Sequence, residues 1–595
     1  MNYVISTLKK DNFKFKEIIK NKLYLYFSTS YSHSCDFYLD GYLKLKNEKI
    51  TKEAIKQLQK NWPLENQFSG SYSFTTITKN KIIIANDCIG IYPIYYCYDN
   101  QNITISNNLY LLQKLLHCDI DEIGKIQRMF SLENSEIGNR TVLKDVKRLL
   151  PGEQIIFDLN KQNKTCLYDN RLYSNISNDL SDDSINKYWD ILKSEIDFIS
   201  SMDNSDTHIA LSGGMDSRLL LGAMNKNKNT IAFNYGKSDF YETKIAKKLA
   251  KKLGFKFKNS LKYENQFPSS KKLIKTIKKV GVPYVMSWYD VFELADKKID
   301  KILLGDMCES LHARNIKKYS SRESRVKNYF NKYLLNKDYK FEDSSFEKFK
   351  LWKDNVINKY LKKIFNGLEK NNVNFNKSKI KNEVVADLSQ IFDRIAQHKL
   401  PFTELYDELF NWYTHARLPM GKQILHCNER FKSYCPPMSS SVLIRTSNIH
   451  PNLRLNYRFM NKLFKNIKPL NNLNTIPTNQ APLISRNAPE SLQFLIWGVR
   501  SKIDQFLIRK IMKSKNKQSR YRIFKSLNWV KAYQIDNLER TIKSYFYYEK
   551  IPSKLIDKCL NIALSRRKLE SWPLSNTDII SLSTLNIELK ILEEA

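Results

Sequence analysis

The sequence has little glycine, proline and cysteine, and each shortage narrows the class of protein. Its 595 residues include 16 glycines, 16 prolines and 9 cysteines. So little glycine and proline excludes collagen-like and low-complexity chains, which are rich in one or both. The cysteines are scattered without a CxxC pair, which argues against a disulfide framework and against a zinc site of paired cysteines. This usage is typical of reduced thiols, and we expect a cytoplasmic protein.

Long apolar runs are also absent. No uninterrupted apolar stretch approaches the roughly 20 residues that a membrane-spanning helix needs. The first residues, MNYVISTLKK, lack the basic start and apolar core of a signal peptide. We therefore expect neither a membrane span nor a leader. With 42% apolar and 12% aromatic residues, the composition is that of a folded protein. Its length allows about two to four domains.

Acidic residues are scarce relative to basic ones. There are 61 Asp and Glu residues against 98 Lys and Arg residues, so the formal net charge is +37. Such an excess can mark a protein that binds nucleic acid or a membrane surface. Here the lysines are spread over nearly all segments, and pairs such as Lys247-Lys248 lie at helical spacing around apolar residues. We interpret the charge as a compositional bias and do not expect a nucleic-acid partner.

A glycine turn between a strand and a helix is the most informative stretch of the chain. The apolar run at 209–211 predicts a buried parallel strand, and a helix is predicted over 217–224. The two glycines between them permit unusual torsions and a close approach of backbone amides to an anion. The helix N-terminus adds its own N–H groups. Asp216 fits beside a phosphate if Mg²⁺ lies between them, so the stretch predicts a pyrophosphate cradle.

Motifs in both halves of the chain carry a family resemblance. Residues 212–217, SGGMDS, match the SGGxDS signature of the PP-loop ATP pyrophosphatases. Earlier, GSYSF at 70–74, DCIGIYPIYY at 87–96 and the stretch from Thr141 to Leu-Pro-Gly at 150–152 follow in order. Together they resemble the class II asparagine synthetases, whose N-terminal half is a glutaminase. The glutaminase-like and PP-loop segments occur in the order found in that family.

The resemblance implies an α/β and α+β fold. Residues 1–160 are expected to form an Ntn-hydrolase-like antiparallel β sandwich with helices, and 161–206 a linker and the first helix of the next domain. A PP-loop parallel sheet of the adenine nucleotide alpha hydrolase type is expected at 207–480, with a helical insertion near 316–400. Residues 481–595 are expected to form a helical extension.

A second motif is expected to complete the nucleotide site. GDMCES at 305–310 follows a predicted strand and resembles the family's G-E-G-x-D-E motif. Asp306 falls at the position of an acid/base, Glu309 at that of a Mg²⁺ ligand, and Ser310 replaces the following acid. The resemblance implies catalytic roles for Asp306, Asp216 and Ser212, and Mg²⁺ on Asp216 and Glu309. The predicted ATP-binding residues are Leu211, Ser212, Gly213, Gly214, Met215, Asp216, Ser217, Phe233 and Gly305.

One departure changes the expected chemistry. In the family, the glutaminase nucleophile is a cysteine that becomes N-terminal when Met is removed, but position 2 here is Asn2 and the first cysteine is Cys35. We therefore expect the domain to persist as a scaffold that does not hydrolyse glutamine, as in the family's β-lactam synthetase and lasso-peptide cyclase relatives.

The implied function is an ATP-dependent ligase that adenylates a small-molecule or peptide carboxylate for attack by ammonia or an amine. Modification of a peptide, a secondary metabolite or a polysaccharide precursor is an alternative function within the family. The resemblance is also compatible with a homodimer. A PP-loop enzyme that modifies tRNA and a non-catalytic ATP-binding partner are alternatives from other classes.

Several further residues have two interpretations. Phe233 and Tyr235 either flank adenine or are buried strand aromatics, and Arg218 either neutralises charge or pairs with a carboxylate on its helix. Ser440 stands where the family has an acceptor-site aspartate. The candidate pocket residues after the insertion, each of which is also compatible with a structural role, are His415, Arg417, Glu429 and Arg430.

Overall fold

The structure is a computed structural model that describes most of the chain up to residue 489 and a C-terminal helix. The described residues are 2–8, 16–20, 23–27, 36–45, 68–99, 102–226, 229–234, 238, 241–259, 270–284, 300–320, 339–371, 373–429, 431–478, 481, 484–489, 492–493, 495–496, 498–499 and 576–594. Cys35, Tyr235, Arg430 and most of the predicted extension lie outside these ranges.

Two antiparallel sheets form the N-terminal part, as the sequence predicts. Their strands are β1 (Tyr3–Ser6), β2 (Lys16–Lys20), β3 (Leu23–Phe27), β4 (Phe37–Leu45), β5 (Phe68–Ile77), β6 (Lys81–Asn86), β7 (Tyr95–Tyr98), β8 (Ile103–Ser106), β9 (Lys147–Arg148), β10 (Glu153–Asp158) and β11 (Asn163–Tyr168). The orders are β2-β3-β1-β8-β7-β9 and β11-β10-β6-β5-β4. Buried side chains from both sheets share one core, for example Ile5 and Ile105 with Ile84 and Phe157. Strand β11 extends the second sheet past the predicted boundary at 160.

Asp87 organises the turn that follows β6. Its carboxylate accepts hydrogen bonds from the backbone N–H groups of Tyr72, Ile89 and Gly90 at 2.7–2.9 Å. Gly90 has φ 69°, and a Cβ atom there would lie 2.6 Å from the side-chain nitrogen of Asn86, so only glycine fits. The D-x-x-G pattern of the sequence is therefore a carboxylate-capped turn beside the core.

A five-stranded parallel sheet forms the second part, again as predicted. Its strands are β12 (Thr207–Ala210), β13 (Ile231–Asn234), β14 (Lys256–Asn259), β15 (Lys301–Leu303) and β16 (Lys432–Tyr434). The order is β14-β13-β12-β15-β16, and every neighbouring pair is parallel. The chain leaves β12 toward β13 on one side, and β15 lies on the other. In open parallel sheets, a crevice for ligands forms at such a switch in strand order.

Helices cover both parts and connect them. They are α1 (Leu109–Leu116), α2 (Glu122–Phe130), α3 (Asp182–Ser201), α4 (Met215–Ala223), α5 (Tyr241–Leu253), α6 (Ser270–Val280), α7 (Lys317–Ser320), α8 (Phe346–Lys370), α9 (Lys377–Gln397), α10 (Glu404–Asn411), α11 (Gly421–Cys427), α12 (Ser440–Ser447), α13 (Pro451–Arg454), α14 (Arg458–Asn466), α15 (Lys468–Asn471) and α16 (Asn576–Glu593). Helices α8 and α9 fall in the predicted helical stretch at 316–400. None of the helices in the described ranges is long and apolar enough to cross a membrane.

The C-terminal helix α16 joins the core between the two parts. Glu588, on its buried face, accepts a hydrogen bond from Nη2 of Arg128 in α2 at 2.9 Å, and both side chains are almost fully buried. Leu585 and Leu589 are fully buried in the same core. The end of the chain thus packs against a helix of the N-terminal part.

Candidate functional site

The loop that follows β12 is closed by its two serines. Oγ of Ser217 accepts a hydrogen bond from the backbone N–H of Ser212 at 3.0 Å. Oγ of Ser212 lies 3.0 Å from Oγ of Ser217 and accepts from the N–H of Gly214 at 3.1 Å. The serines of the motif therefore hold the turn itself in shape. The catalytic role predicted for Ser212 stays a prediction.

Helix α4 begins directly after this loop with its first turn uncapped. Gly214 is the N-cap residue and has no side chain to accept from the first N–H groups. Its φ of −78° and ψ of 177° are ordinary extended values, so Gly214 does not use the unusual torsions that a glycine permits. Because glycine has no side chain that could cap the helix, the N–H groups of the first turn and the positive end of the helix dipole stay available for an anion.

The second motif packs directly against the first. Strands β12 and β15 are parallel neighbours, so their following loops lie at the same edge of the sheet. A Cβ atom at Gly305 would lie 3.3 Å from the backbone nitrogen of Ser217 and 3.4 Å from the carbonyl carbon of Asp216. The backbones therefore touch where the family resemblance predicts the phosphate site.

The contact brings two predicted metal ligands into one electrostatic environment. Burial raises the pKa of Glu309, and the nearby Asp216 carboxylate raises it further. Oδ1 of Asp216 is buried and has no hydrogen-bond partner in the described part of the chain. Two neighbouring carboxylates are a donor set that fits a hard divalent cation such as Mg²⁺. No group of three or more His, Cys, Asp or Glu ligands occurs among the described residues, so such a cation would need further oxygen ligands from a nucleotide or water.

His312 belongs to the site and was not identified from the sequence. It ends a short 3₁₀ turn, Cys308–His312, and its Nε2 lies 3.8 Å from Oδ1 of Asp216. Its ring stacks on that of Tyr457, with centroids 4.4 Å apart and an interplanar angle of 27°. In the sequence, the only sign that His312 belongs to the site is its position three residues after Glu309. Its stacking partner Tyr457 gives no sign, because it lies far along the chain.

The tips of β12 and β13 are fastened to each other. Nδ2 of Asn234 donates to the carbonyl oxygen of Leu211 at 2.7 Å, and Oδ1 of Asn234 accepts from the hydroxyl of Thr243 at 2.9 Å. Phe233 is only 3% exposed and meets the ring of His208 edge-on at 5.5 Å. This is the core role that the sequence left open for Phe233. The predicted contacts of Leu211, Met215 and Phe233 with ATP stay predictions.

Arg218 has neither of the two roles considered from the sequence. It is fully buried, and its guanidinium donates to the backbone carbonyl oxygens of Leu473, Ile476 and Pro477 at 2.8–3.2 Å. Burial lowers its pKa to about 9. Arg218 therefore fastens the segment after α15 to helix α4, and its described hydrogen bonds go to backbone oxygens instead of a carboxylate.

A buried ion pair holds the second motif in place. Nη1 and Nη2 of Arg454 donate to the carboxylate of Glu408 at 2.8 Å, and both side chains are fully buried. The guanidinium also donates to the carbonyl oxygen of Ser310 at 2.9 Å. The 3₁₀ turn that carries Glu309 and His312 is thereby fixed to helix α10.

The remaining candidate residues have other surroundings. Arg417 is buried and donates to the carbonyl oxygens of Gly138 and Leu149, which is a structural role. Ser440 is buried and donates to the carbonyl oxygen of Gly70 at 3.3 Å.

His415 is half exposed and is paired with Glu133 at 2.8 Å. The backbone carbonyl of Glu429 accepts a hydrogen bond from the ammonium of Lys279. Asp306 lies half-buried at the start of the second loop, and its carbonyl oxygen accepts from the thiol of Cys435 at 3.0 Å.

Comparisons with known proteins give no family. No family model matches the chain, and no curated protein matches it. The solved glutamine phosphoribosylpyrophosphate amidotransferase from B. subtilis, complexed with ADP and GMP, is similar at 11% identity and a TM-score of 0.14 over 48% of this chain and 59% of that chain. A structure of the allosteric regulatory enzyme of purine biosynthesis is similar at 10% identity and a TM-score of 0.14 over 46% of this chain and 55% of that chain. The chain thus spans little more than half the length of these structures, and the likeness carries no argument about function.

Proposed function

We propose that the protein is an ATP-dependent, AMP- and pyrophosphate-forming amide ligase. The observation that carries the proposal is the backbone contact between the two motif loops at Gly305 and Ser217, which sets Asp216 and Glu309 at one edge of the parallel sheet. An uncapped helix N-terminus lies at the same edge. This combination suits a diphosphate with a bound divalent cation.

The residues of the site have separate tasks in this reaction. The first-turn N–H groups of α4 bind the diphosphate that leaves when a substrate carboxylate attacks the α-phosphorus of ATP. Asp216 and Glu309 would hold Mg²⁺, which would neutralise charge on the departing pyrophosphate. Asp306, at the start of the second loop, accepts the proton of the amine that attacks the acyl-adenylate. Preorganised groups of this kind usually supply most of the rate enhancement.

The nitrogen donor is free ammonia or an amine. Asn2 carries an amide where the resembling family has a nucleophilic thiol, and Nδ2 of Asn2 donates to the carbonyl oxygen of Lys279 at 2.8 Å. We propose a small-molecule or peptide carboxylate as the acyl substrate.

Exchange of labelled pyrophosphate into ATP, measured over a panel of carboxylates, tests the proposal. We expect exchange that depends on one added acid and on Mg²⁺. Bound ATP without exchange would favour a non-catalytic ATP-binding partner. A salt-dependent gel shift with tRNA, in the absence of acid-dependent exchange, would favour the tRNA-modifying alternative.

A further inference from the structure

His312 is a buried histidine whose side chain forms no hydrogen bond with the described part of the chain. Its side chain is 5% exposed, and its Nδ1 is buried without a partner there. Its Nε2 lies 3.8 Å from Oδ1 of Asp216, which is also unpartnered among the described residues. Burial of polar atoms without hydrogen bonds opposes folding. Packing alone therefore does not explain a histidine at this position, since an apolar ring would pack without that penalty.

The backbone around His312 is held in unfavourable conformations. Ten described residues other than glycine have positive φ, and four of them flank the contact between His312 and Tyr457. These four are Met307 (φ 66°), Ala313 (φ 51°), Asn456 (φ 53°) and Tyr457 (φ 62°). The left-handed region is disfavoured for residues with a Cβ atom and is concentrated at functional sites. Here these left-handed conformations place the turn that carries His312 against the ring of Tyr457.

Stacking fixes the plane of the imidazole. The rings of His312 and Tyr457 are 4.4 Å apart and close to parallel. With its plane fixed, the imidazole has Nε2 on the side of Asp216. An approach of about 0.8 Å would bring Nε2 and Oδ1 to an ordinary hydrogen-bond distance.

We infer that His312 is a positioning residue that orients the Asp216 carboxylate toward the cation on the nucleotide's diphosphate. The inference rests on the proposed function. The N–H of Nε2 would donate to Oδ1, and Oδ2 would then remain available to the cation. Hydrogen bonds from a neighbouring side chain orient metal ligands in this way, and their loss commonly weakens metal binding by about 10–100-fold.

Two substitutions separate this role from packing. His312→Phe keeps a ring against Tyr457 and removes the N–H, whereas His312→Gln keeps an N–H donor and removes the ring. Calorimetry would measure ATP binding to each variant with Mg²⁺ and with EDTA. We expect His312→Phe to weaken binding of Mg²⁺·ATP at least about tenfold, to leave binding of metal-free ATP within about twofold, and to unfold at the same temperature as the wild type or higher. His312→Gln is expected to stay within about threefold of the wild type for Mg²⁺·ATP.

The outcomes distinguish this inference from the proposed function. If the wild type exchanges pyrophosphate and His312→Phe binds Mg²⁺·ATP as tightly as the wild type, the inference alone is wrong. If His312→Phe loses both forms of ATP binding and unfolds at a lower temperature, its role is structural and the inference is also wrong. If the wild type binds no ATP in either condition, the inference and the proposed function both fail.

Discussion

Gly305 lies against the backbone of the first motif loop, and adding a single methyl group at this position tests the contact. Gly305→Ala would place a Cβ atom 3.3 Å from the backbone nitrogen of Ser217, which has no flexible side-chain end that can yield. We expect the loops to separate, at a cost of about 1–3 kcal/mol in the free energy of unfolding, with loss of nucleotide binding. Denaturant unfolding and ATP calorimetry measure both effects.

The matched control for this substitution is Gly498→Ala. A Cβ atom at Gly498 meets nothing within 4 Å in the described part of the chain, so this change should leave stability and ATP binding unaltered or improve stability slightly. Equal behaviour of the two variants would contradict the assigned contact.

A second prediction at the residue scale concerns Asn2. Because an amide side chain cannot act as the nucleophile in glutamine hydrolysis, we expect the purified protein to release no ammonia from glutamine. A coupled assay with glutamate dehydrogenase measures ammonia directly, and the same protein given ammonia as the nitrogen source serves as the control. Sustained ammonia release above the rate of a heat-treated sample would refute the prediction.

Helix α10 supports the site through the buried pair of Glu408 and Arg454. Glu408→Ala would leave the guanidinium of Arg454 buried without its carboxylate. We expect a loss of about 3–5 kcal/mol in the free energy of unfolding, measured by urea denaturation. Asp183→Ala is the control, because its pair with Lys187 is largely exposed and should contribute less than about 1 kcal/mol. Similar losses in both variants would show that the pair does not fix the second motif.

The sequence predicted the strands and helices better than it predicted the contacts between them. An apolar run before a glycine turn predicted the parallel strand β12, and the motif at 305–310 followed the predicted strand β15, because these patterns are local. Strand β11 was missed as part of the N-terminal sheet, because Asn163–Tyr168 is almost entirely exposed and, among the described strands, pairs only with β10. Such an edge strand has no buried face for the sequence to reveal.

At the candidate site, too, the sequence indicated the local motifs but not the long-range contacts. The motifs at 212–217 and 305–310 predicted that Asp216 and Glu309 would meet, since both follow neighbouring parallel strands. The hydrogen-bond partners of Arg218 and the stacking partner of His312 lie more than 140 residues away, and no local pattern indicates them. Long-range packing therefore decides which motif residues face the site and which fasten the fold.

At the scale of the whole molecule, buried neutral histidines make stability depend on pH. Burial lowers the pKa of both His398 and His426 to about 4, below the ordinary value of about 6.5. The unfolded chain therefore binds more protons than the folded chain between these values. The contribution of each histidine is fully present above about pH 6.5 and is lost as the pH falls to about 4.

We expect the melting temperature to fall over this interval, as calorimetry at a series of pH values would show. His426→Gln keeps an N–H donor for the carbonyl oxygen of Pro283 and removes one titrating group, so its decline should be shallower than that of the wild type. A melting temperature that is constant from pH 7 to pH 4, or an equally steep decline in the variant, would contradict the assignment.

The most direct test of the central claim compares the wild type with Asp216→Ala in acid-dependent exchange of pyrophosphate into ATP. The account predicts Mg²⁺-dependent exchange by the wild type with one carboxylate of the panel. It also predicts none by the variant, although both proteins have the same circular dichroism spectrum and melting temperature. Exchange by Asp216→Ala at the rate of the wild type would contradict the claim that the two strand-end loops bind a nucleotide's leaving diphosphate through this carboxylate.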